Sequence, residues 1–129
     1  MIQLNPNLPE PLEDEEQIRV VQWLDLKKLK YTAVPNSTYT TSWKQKQHNT
    51  DLGLHAGFPD LIILIPPKYA YDGLGHFLAL EMKRQKTFKI SDDQKEWIKA
   101  LNGLKSVNIE SVVAHGADEA IEWVEGFLK

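Results

Sequence analysis

The chain reads as an α/β domain: a mixed sheet of about four strands flanked by helices, closed by a C-terminal helix. Three observations predict it. Apolar residues recur at helical spacing near the start; an apolar, β-branched run and a second run apolar on both faces, joined by a turn-rich stretch, form the middle; and a helix-capping signature stands between that pair and one more apolar run. A strand, a helix and a further strand in that order return parallel by a right-handed crossover, so the hairpin is antiparallel and the last strand parallel.

Residues 1–11, with three prolines and two asparagines, form an extended lead-in, and 12–129 a single domain. From Leu12 to about Leu29 the stripe Gln17, Val20, Val21, Leu24 and Lys28 predicts a helix, with Ile18 beside the stripe and Glu13 extending it to the first turn. Acids at its start and Lys27 and Lys28 at its end suit the helix dipole. Tyr31–Val34 is a short strand stopped by Pro35-Asn36-Ser37. Residues 38–56 are polar and read as a long loop carrying Trp43. Gly57–Ile65, closed by Pro66-Pro67, and His76–Lys83 are the hairpin. Ser91 and Gln94 fit a capping box opening a helix to about Leu101, which ends near Asn102-Gly103. Ile109–Ala114 is the last strand, and Ala117–Leu128 a closing helix with Ile121, Val124 and Leu128 inward.

With 42% hydrophobic and 26% charged residues the composition is that of a soluble globular domain, and no apolar run is long enough to span a membrane. The acidic, proline-rich start lacks the layout of a secretion signal, and the absence of cysteine removes disulfides and thiolate zinc sites. A cytoplasmic protein is expected. The net charge of −3 argues against a polycation that coats nucleic acid, but the charges are segregated. Residues 27–50 carry five lysines, among them Lys44 and Lys46, and no acid; residues 82–90 carry Lys83, Arg84, Lys86 and Lys89 and no acid. A polyanion can dock locally on such segments.

The hairpin holds the chemistry. With its loop symmetric about Ala70–Tyr71, pairing positions sum to 141, so Ile65 faces His76 and Asp60 faces Glu81. Lys83, two residues on, points the same way as Glu81. Opposed carboxylates repel unless a cation lies between them, and oxygen ligands without His or Cys favour Mg²⁺ or Mn²⁺. The Met82 carbonyl is a further candidate ligand. Such a cation supplies a water nucleophile for phosphodiester hydrolysis, with Lys83 orienting it or offsetting transition-state charge. The competing reading is a surface ion pair at a strand end.

Pro59-Asp60 followed by Glu81-Met82-Lys83 resembles the PD-(D/E)XK nuclease superfamily, a restriction-endonuclease-like fold whose core order of helix, three strands, helix, strand is the order read above. The finer resemblance is to virus-type replication-repair nuclease (VRR-NUC) domains. It rests on Glu13…Gln17…Trp23-Leu24, Val34-Pro35-Asn36, Gly57-Phe58-Pro59-Asp60-Leu61, Glu81-Met82-Lys83 and Ser91…Gln94-Lys95-Glu96, and spans roughly residues 12–120. It implies a stand-alone, metal-dependent deoxyribonuclease acting on branched DNA, a homodimeric four-way (Holliday) junction resolvase of the small phage or bacterial type. It makes Asp60 and Glu81 metal ligands, Lys83 catalytic, Glu13 the helix-borne acid completing the site directly or through water, and Gln94 an auxiliary residue. A flap nuclease or exonuclease of the same fold, and a non-cutting DNA-binding module, are the alternatives.

Lys44, Lys46, Arg84 and Lys86 are the candidate DNA contacts, with His55, between Gly53 and Gly57, a candidate for touching phosphate. Trp43, in the polar loop among lysines, is the aromatic placed for base stacking. His48, His76 and His115 show no metal-ligand spacing. Trp23, Trp97 and Trp123 read as packing or interface residues. Trp123 and Phe127 lie off the core stripe of the closing helix, which together with the two-fold symmetry of a junction points to a homodimer.

Overall fold

The computed structural model describes residues 9–35, 42–104 and 108–129. The element order is α1 (Glu13–Lys27), β1 (Lys30–Ala33), α2 (Trp43–Asp51), β2 (Leu61–Ile65), β3 (His76–Lys83), α3 (Asp92–Asn102), β4 (Ile109–His115) and α4 (Ala117–Glu125). The sheet runs β1-β2-β3-β4, antiparallel between the first three and parallel between β3 and β4. The expected mixed four-stranded α/β architecture is the one observed.

The hairpin register is also the expected one: Leu61 pairs Leu80 and Ile65 pairs His76, so positions sum to 141. β3 is covered on both faces, with only Phe77 short of full burial. This is why its sequence is apolar on both sides instead of alternating. Leu61, Ile63 and Ile65 of β2 and Leu78, Leu80 and Met82 of β3 form the core with Val20 and Leu24 of α1 and Ala117, Ala120 and Val124 of α4. α1 packs on α4 and β3, and α3 on β4.

Three elements depart from the sequence reading. The buried line of α1 is Glu16, Val20, Leu24, one residue round the helix from the expected Gln17, Val21 and Lys28. Gln17 and Val21 are half-buried, Ile18 is exposed, and Lys28 forms a left-handed cap with φ 58°. In α4 the inward residues are Ala117, Ala120 and Val124, while Ile121 is half-buried.

The polar stretch expected to be loop contains α2. Ser42 caps it by accepting the N–H of Gln45 at 3.3 Å, and side-chain amides donate one turn on, Gln45 to the Asn49 amide oxygen at 2.7 Å and Gln47 to the Asp51 carboxylate at 2.9 Å, along its surface. A helix supported this way has no apolar stripe, so hydrophobic periodicity cannot disclose it.

The shift in α1 has a physical cause. The fully buried Glu16 accepts the backbone N–H of Ala117 at 2.9 Å and the side-chain amide of Gln85 at 3.3 Å, and pairs with Arg19 at 3.3 Å. Gly116, at φ 94°, has no side chain with which to cap α4, and Glu16 supplies the missing cap from another helix. A Cβ on Gly116 would collide with that carboxylate. Glu16→Ala, which leaves a buried N–H without its acceptor, is expected to cost about 2–4 kcal/mol in urea unfolding; Glu16→Gln, which keeps an acceptor, is expected to cost less.

Candidate active site

Asp60 stands at the mouth of β2 and is held from two sides. Its backbone carbonyl accepts the N–H of Val34 at 2.8 Å, and its carboxylate accepts the N–H of Met82 at 2.8 Å. Gly57, at φ 94°, fixes the approach to it. The N-terminal turn of α3 lies so close that a Cβ on Gly57 would meet Asp93 at 2.7 Å, a position only glycine fills. Phe58 then packs edge-on against Trp97 at 5.0 Å, and the indole N–H of Trp97 donates to the carbonyl of Ala56 at 3.1 Å. The run Gly57-Phe58-Pro59-Asp60 is therefore a rigid lead-in to the aspartate, with Trp97 a packing residue as expected.

Glu81 and Lys83 project from the same side of β3 and are 1% and 7% exposed. Glu13 comes in half-buried from the first turn of α1. One oxygen each from Glu13, Asp60 and Glu81 lies within 4.8 Å of the others. The electrostatics follow from that crowding. Burial first, then a hydrogen bond and charge repulsion from Asp60, push the Glu81 carboxyl up to about 9, against the pull of Lys83. Burial and then Asp60 also raise Glu13. One oxygen of Glu81, Oε1, is buried without a hydrogen-bond partner. Three convergent carboxylates, one with an orphaned oxygen, and no nitrogen or sulfur donor among them, fit a hard divalent cation. Lys83 is anchored through its backbone carbonyl, which accepts the N–H of Gly116 at 2.9 Å.

Asp60, Glu81, Lys83 and Glu13 are thus brought together as the sequence suggested. Met82 meets the site through its N–H on Asp60. Gln94 forms the expected capping box: its side-chain oxygen accepts the N–H of Ser91 at 2.9 Å and its own N–H donates to the Ser91 hydroxyl at 3.1 Å.

Among the candidate DNA contacts, Lys44, Lys46 and Lys86 are exposed. His55 is exposed in a cleft whose α3 wall carries Asp93 and Glu96, acids that disfavour a phosphate there. Arg84 is drawn inward, its guanidinium donating to the carbonyls of Glu10 at 2.9 Å and Pro11 at 3.0 Å, so it is not presented as a free surface cation. Glu10, which carried no signal in the sequence, completes this clamp by accepting the N–H groups of Lys86 at 2.6 Å and Thr87 at 2.9 Å, bonds that hold its pKa low. Trp123 and Phe127 stack edge-on at 5.3 Å and pack against the core, with Phe127 also meeting the buried His76, so they extend the core instead of forming a free apolar face.

A mixed sheet whose hairpin mouth gathers two acids and a lysine, with a third acid from the first helix, has the layout of a PD-(D/E)XK-type nuclease. The family model of the VRR-NUC domain matches residues 3–118, and the chain belongs to that family. A solved structure described as a VRR_NUC domain protein is 30% identical, with a TM-score of 0.61, covering 93% of this chain and 90% of that one. No curated protein matches the chain. The domain is a nuclease domain by family, and among the described residues no helix is long and apolar enough to cross a membrane.

The raised Glu81 pKa makes stability depend on pH. Between its ordinary 4.5 and about 9, the folded protein keeps a proton that the unfolded chain releases, so without divalent metal stability falls as pH rises through that window. Glu81→Gln is expected to flatten this slope and raise the melting temperature of the metal-free protein at pH 8, measured by scanning calorimetry in chelator.

Proposed function

We propose that this domain is a Mg²⁺- or Mn²⁺-dependent endonuclease that hydrolyses phosphodiester bonds in branched DNA, acting as a homodimeric four-way junction resolvase. The observation that carries the reading is the convergent cluster of half-buried Glu13 and Asp60 with buried Glu81, and Lys83 on the same strand as Glu81. Asp60 and Glu81 would hold the cation, with Glu13 completing the shell directly or through water and the Met82 carbonyl a further candidate ligand. When bound, the cation supplies a water of lowered pKa and neutralises phosphate charge. The residues of the chain do the rest. Asp60, pinned by the Met82 N–H, keeps its position as the substrate arrives. The Lys83 ammonium donates to the non-bridging oxygens of the scissile phosphate or to the attacking water, and is worth most where charge builds in the transition state. Burial of Glu81 and Lys83 keeps bulk water from screening them.

The dimer follows from the substrate. A four-way junction is resolved by two symmetry-related cuts, and each copy of the domain offers one such site, so a two-fold pair places two. With Trp123 and Phe127 packed into the core, its interface would lie elsewhere. The alternative of a monomeric flap nuclease uses the same site chemistry.

Lys83→Ala is expected to lower cleavage by roughly 10²–10⁴ while leaving the fold and DNA binding nearly intact. Asp60→Asn is expected to lose both cleavage and bound metal, measured by titration calorimetry with Mn²⁺. Cleavage of four-way junction, flap and linear duplex in Mg²⁺ and Mn²⁺ tests the reading as a whole. Cutting of none of them would replace it by a DNA-binding module, and parent-like cutting by either variant would remove the site assignment. Light scattering coupled to size exclusion is expected to give the mass of two chains. A single-chain mass that persists on junction DNA would favour the flap nuclease.

A further inference from the structure

α2 is the one helix among the described residues that takes no substantial part in packing between elements. None of its residues is buried, and only Asn49 is partly covered. It nevertheless opens on Trp43, which is 75% exposed, followed by Lys44 and Lys46 with no acid in the first turn. A large aromatic held in water on a helix that contributes nothing to the core is the reverse of what folding alone selects. The position of the helix supplies the reason. The N–H of Val34 donates to the carbonyl of Asp60 at 2.8 Å, so the connection that carries α2 is closed at its base on the aspartate of the carboxylate cluster. The return limb is fixed by the close approach of Gly57 to Asp93 and by the Trp97–Ala56 hydrogen bond. A strand bound at Asp60 and Glu81 would thus meet the base of the connection that carries α2.

We propose that α2 is a substrate-docking helix whose packing partner is a nucleic-acid strand with an unpaired base. Trp43 stacks on that base, and Lys44 and Lys46 contact the flanking phosphates. The charge at the start of α2 is complementary: Lys44 and Lys46 follow Trp43 with no acid in the first turn, and the helix's one acid, Asp51, is its last residue. Stacking on an exposed indole needs a base free of its own stack, so α2 separates strands with unpaired bases from continuous duplex. The inference rests on the nuclease reading and adds a specificity element to it.

The test is DNA binding by fluorescence anisotropy in Ca²⁺, with Lys83→Ala as the background to suppress cleavage. Three DNAs are compared: linear duplex, the same duplex with a single-stranded flap, and a fully paired four-way junction. Trp43→Ala is expected to weaken flap binding roughly 5- to 150-fold, the loss of one base–aromatic stack, with under about 2-fold change on duplex. Lys44→Ala with Lys46→Ala is expected to lower the salt slope by about one per lysine on every DNA. Because Trp43 is exposed, its variant should melt with the parent, which separates lost docking from lost folding. Amide exchange of 43–51 should slow on flap DNA. If Trp43→Ala binds flap like its parent, or loses equally on flap and duplex, the docking role is overturned while the nuclease reading stands. Binding of no DNA by the parent would overturn both. Because the four-way junction is fully paired, no change there supports selection of an unpaired base, whereas weakening to the same extent as on the flap would overturn it.

Discussion

The structure depends on two carboxylates that the sheet register forces together. Once Leu61 pairs Leu80, Asp60 falls opposite Glu81, in a place where Glu81 is all but dry. Two negative charges at that spacing cannot both persist without compensation. In the protein alone the compensation is a proton, seen in the Glu81 carboxyl raised to about 9 and sharing a hydrogen bond with Asp60. A divalent cation is the other compensation the oxygens accept, and it would displace that proton. Lys83 offsets part of that repulsion, and a proton or a metal the rest, which marks the pair as a functional site.

Holding that pair in place takes structure well outside it. Val34 and Met82 fix Asp60 from the neighbouring strands. Glu16 ties α1, and so Glu13, to the start of α4. Gly116, at the start of α4, in turn holds the end of β3 through the Lys83 carbonyl. Glu10 and Arg84 bind the lead-in to the chain just past Lys83. These clamps use backbone N–H groups, directional partners, where side-chain ion pairs alone would leave the site loose.

What the sequence discloses about this arrangement divides along physical lines. The hairpin register was legible because its loop is symmetric and strands alternate with a strict period of two. Asp60, Glu81 and Lys83 follow from that register, and Glu13 from lying on a helix line otherwise aimed inward. Glu16 lay within reach of the same reasoning, since Glu16, Val20 and Leu24 are one turn apart, but its charge argued for solvent. Nothing local could show that a helix N-terminus with only a glycine at its cap was waiting for that carboxylate. The Glu10–Arg84 clamp joins residues 74 apart, and no periodicity reaches that far. Trp123 and Phe127 looked free because a single-stripe description of α4 omits the hairpin, where His76 at the start of β3 and the backbone of Tyr71 in the loop meet Phe127.

The same topology separates chemistry from recognition. The connection that carries α2 is closed at its base by the Val34–Asp60 hydrogen bond, and its return limb at Ala56–Phe58 packs on α3, so changes confined to α2 reach the rest of the fold mainly through loop-closure entropy. Doubling such a segment costs only about 0.6 kcal/mol. The carboxylates, by contrast, sit on β2, β3 and the first turn of α1, where a one-residue slip would turn every side chain to the wrong face. A helix that buries nothing can therefore be altered, lengthened or recharged while Asp60 and Glu81 stay where the register puts them. On the docking role proposed for α2, the domain would change which strand it holds without changing how it would cut.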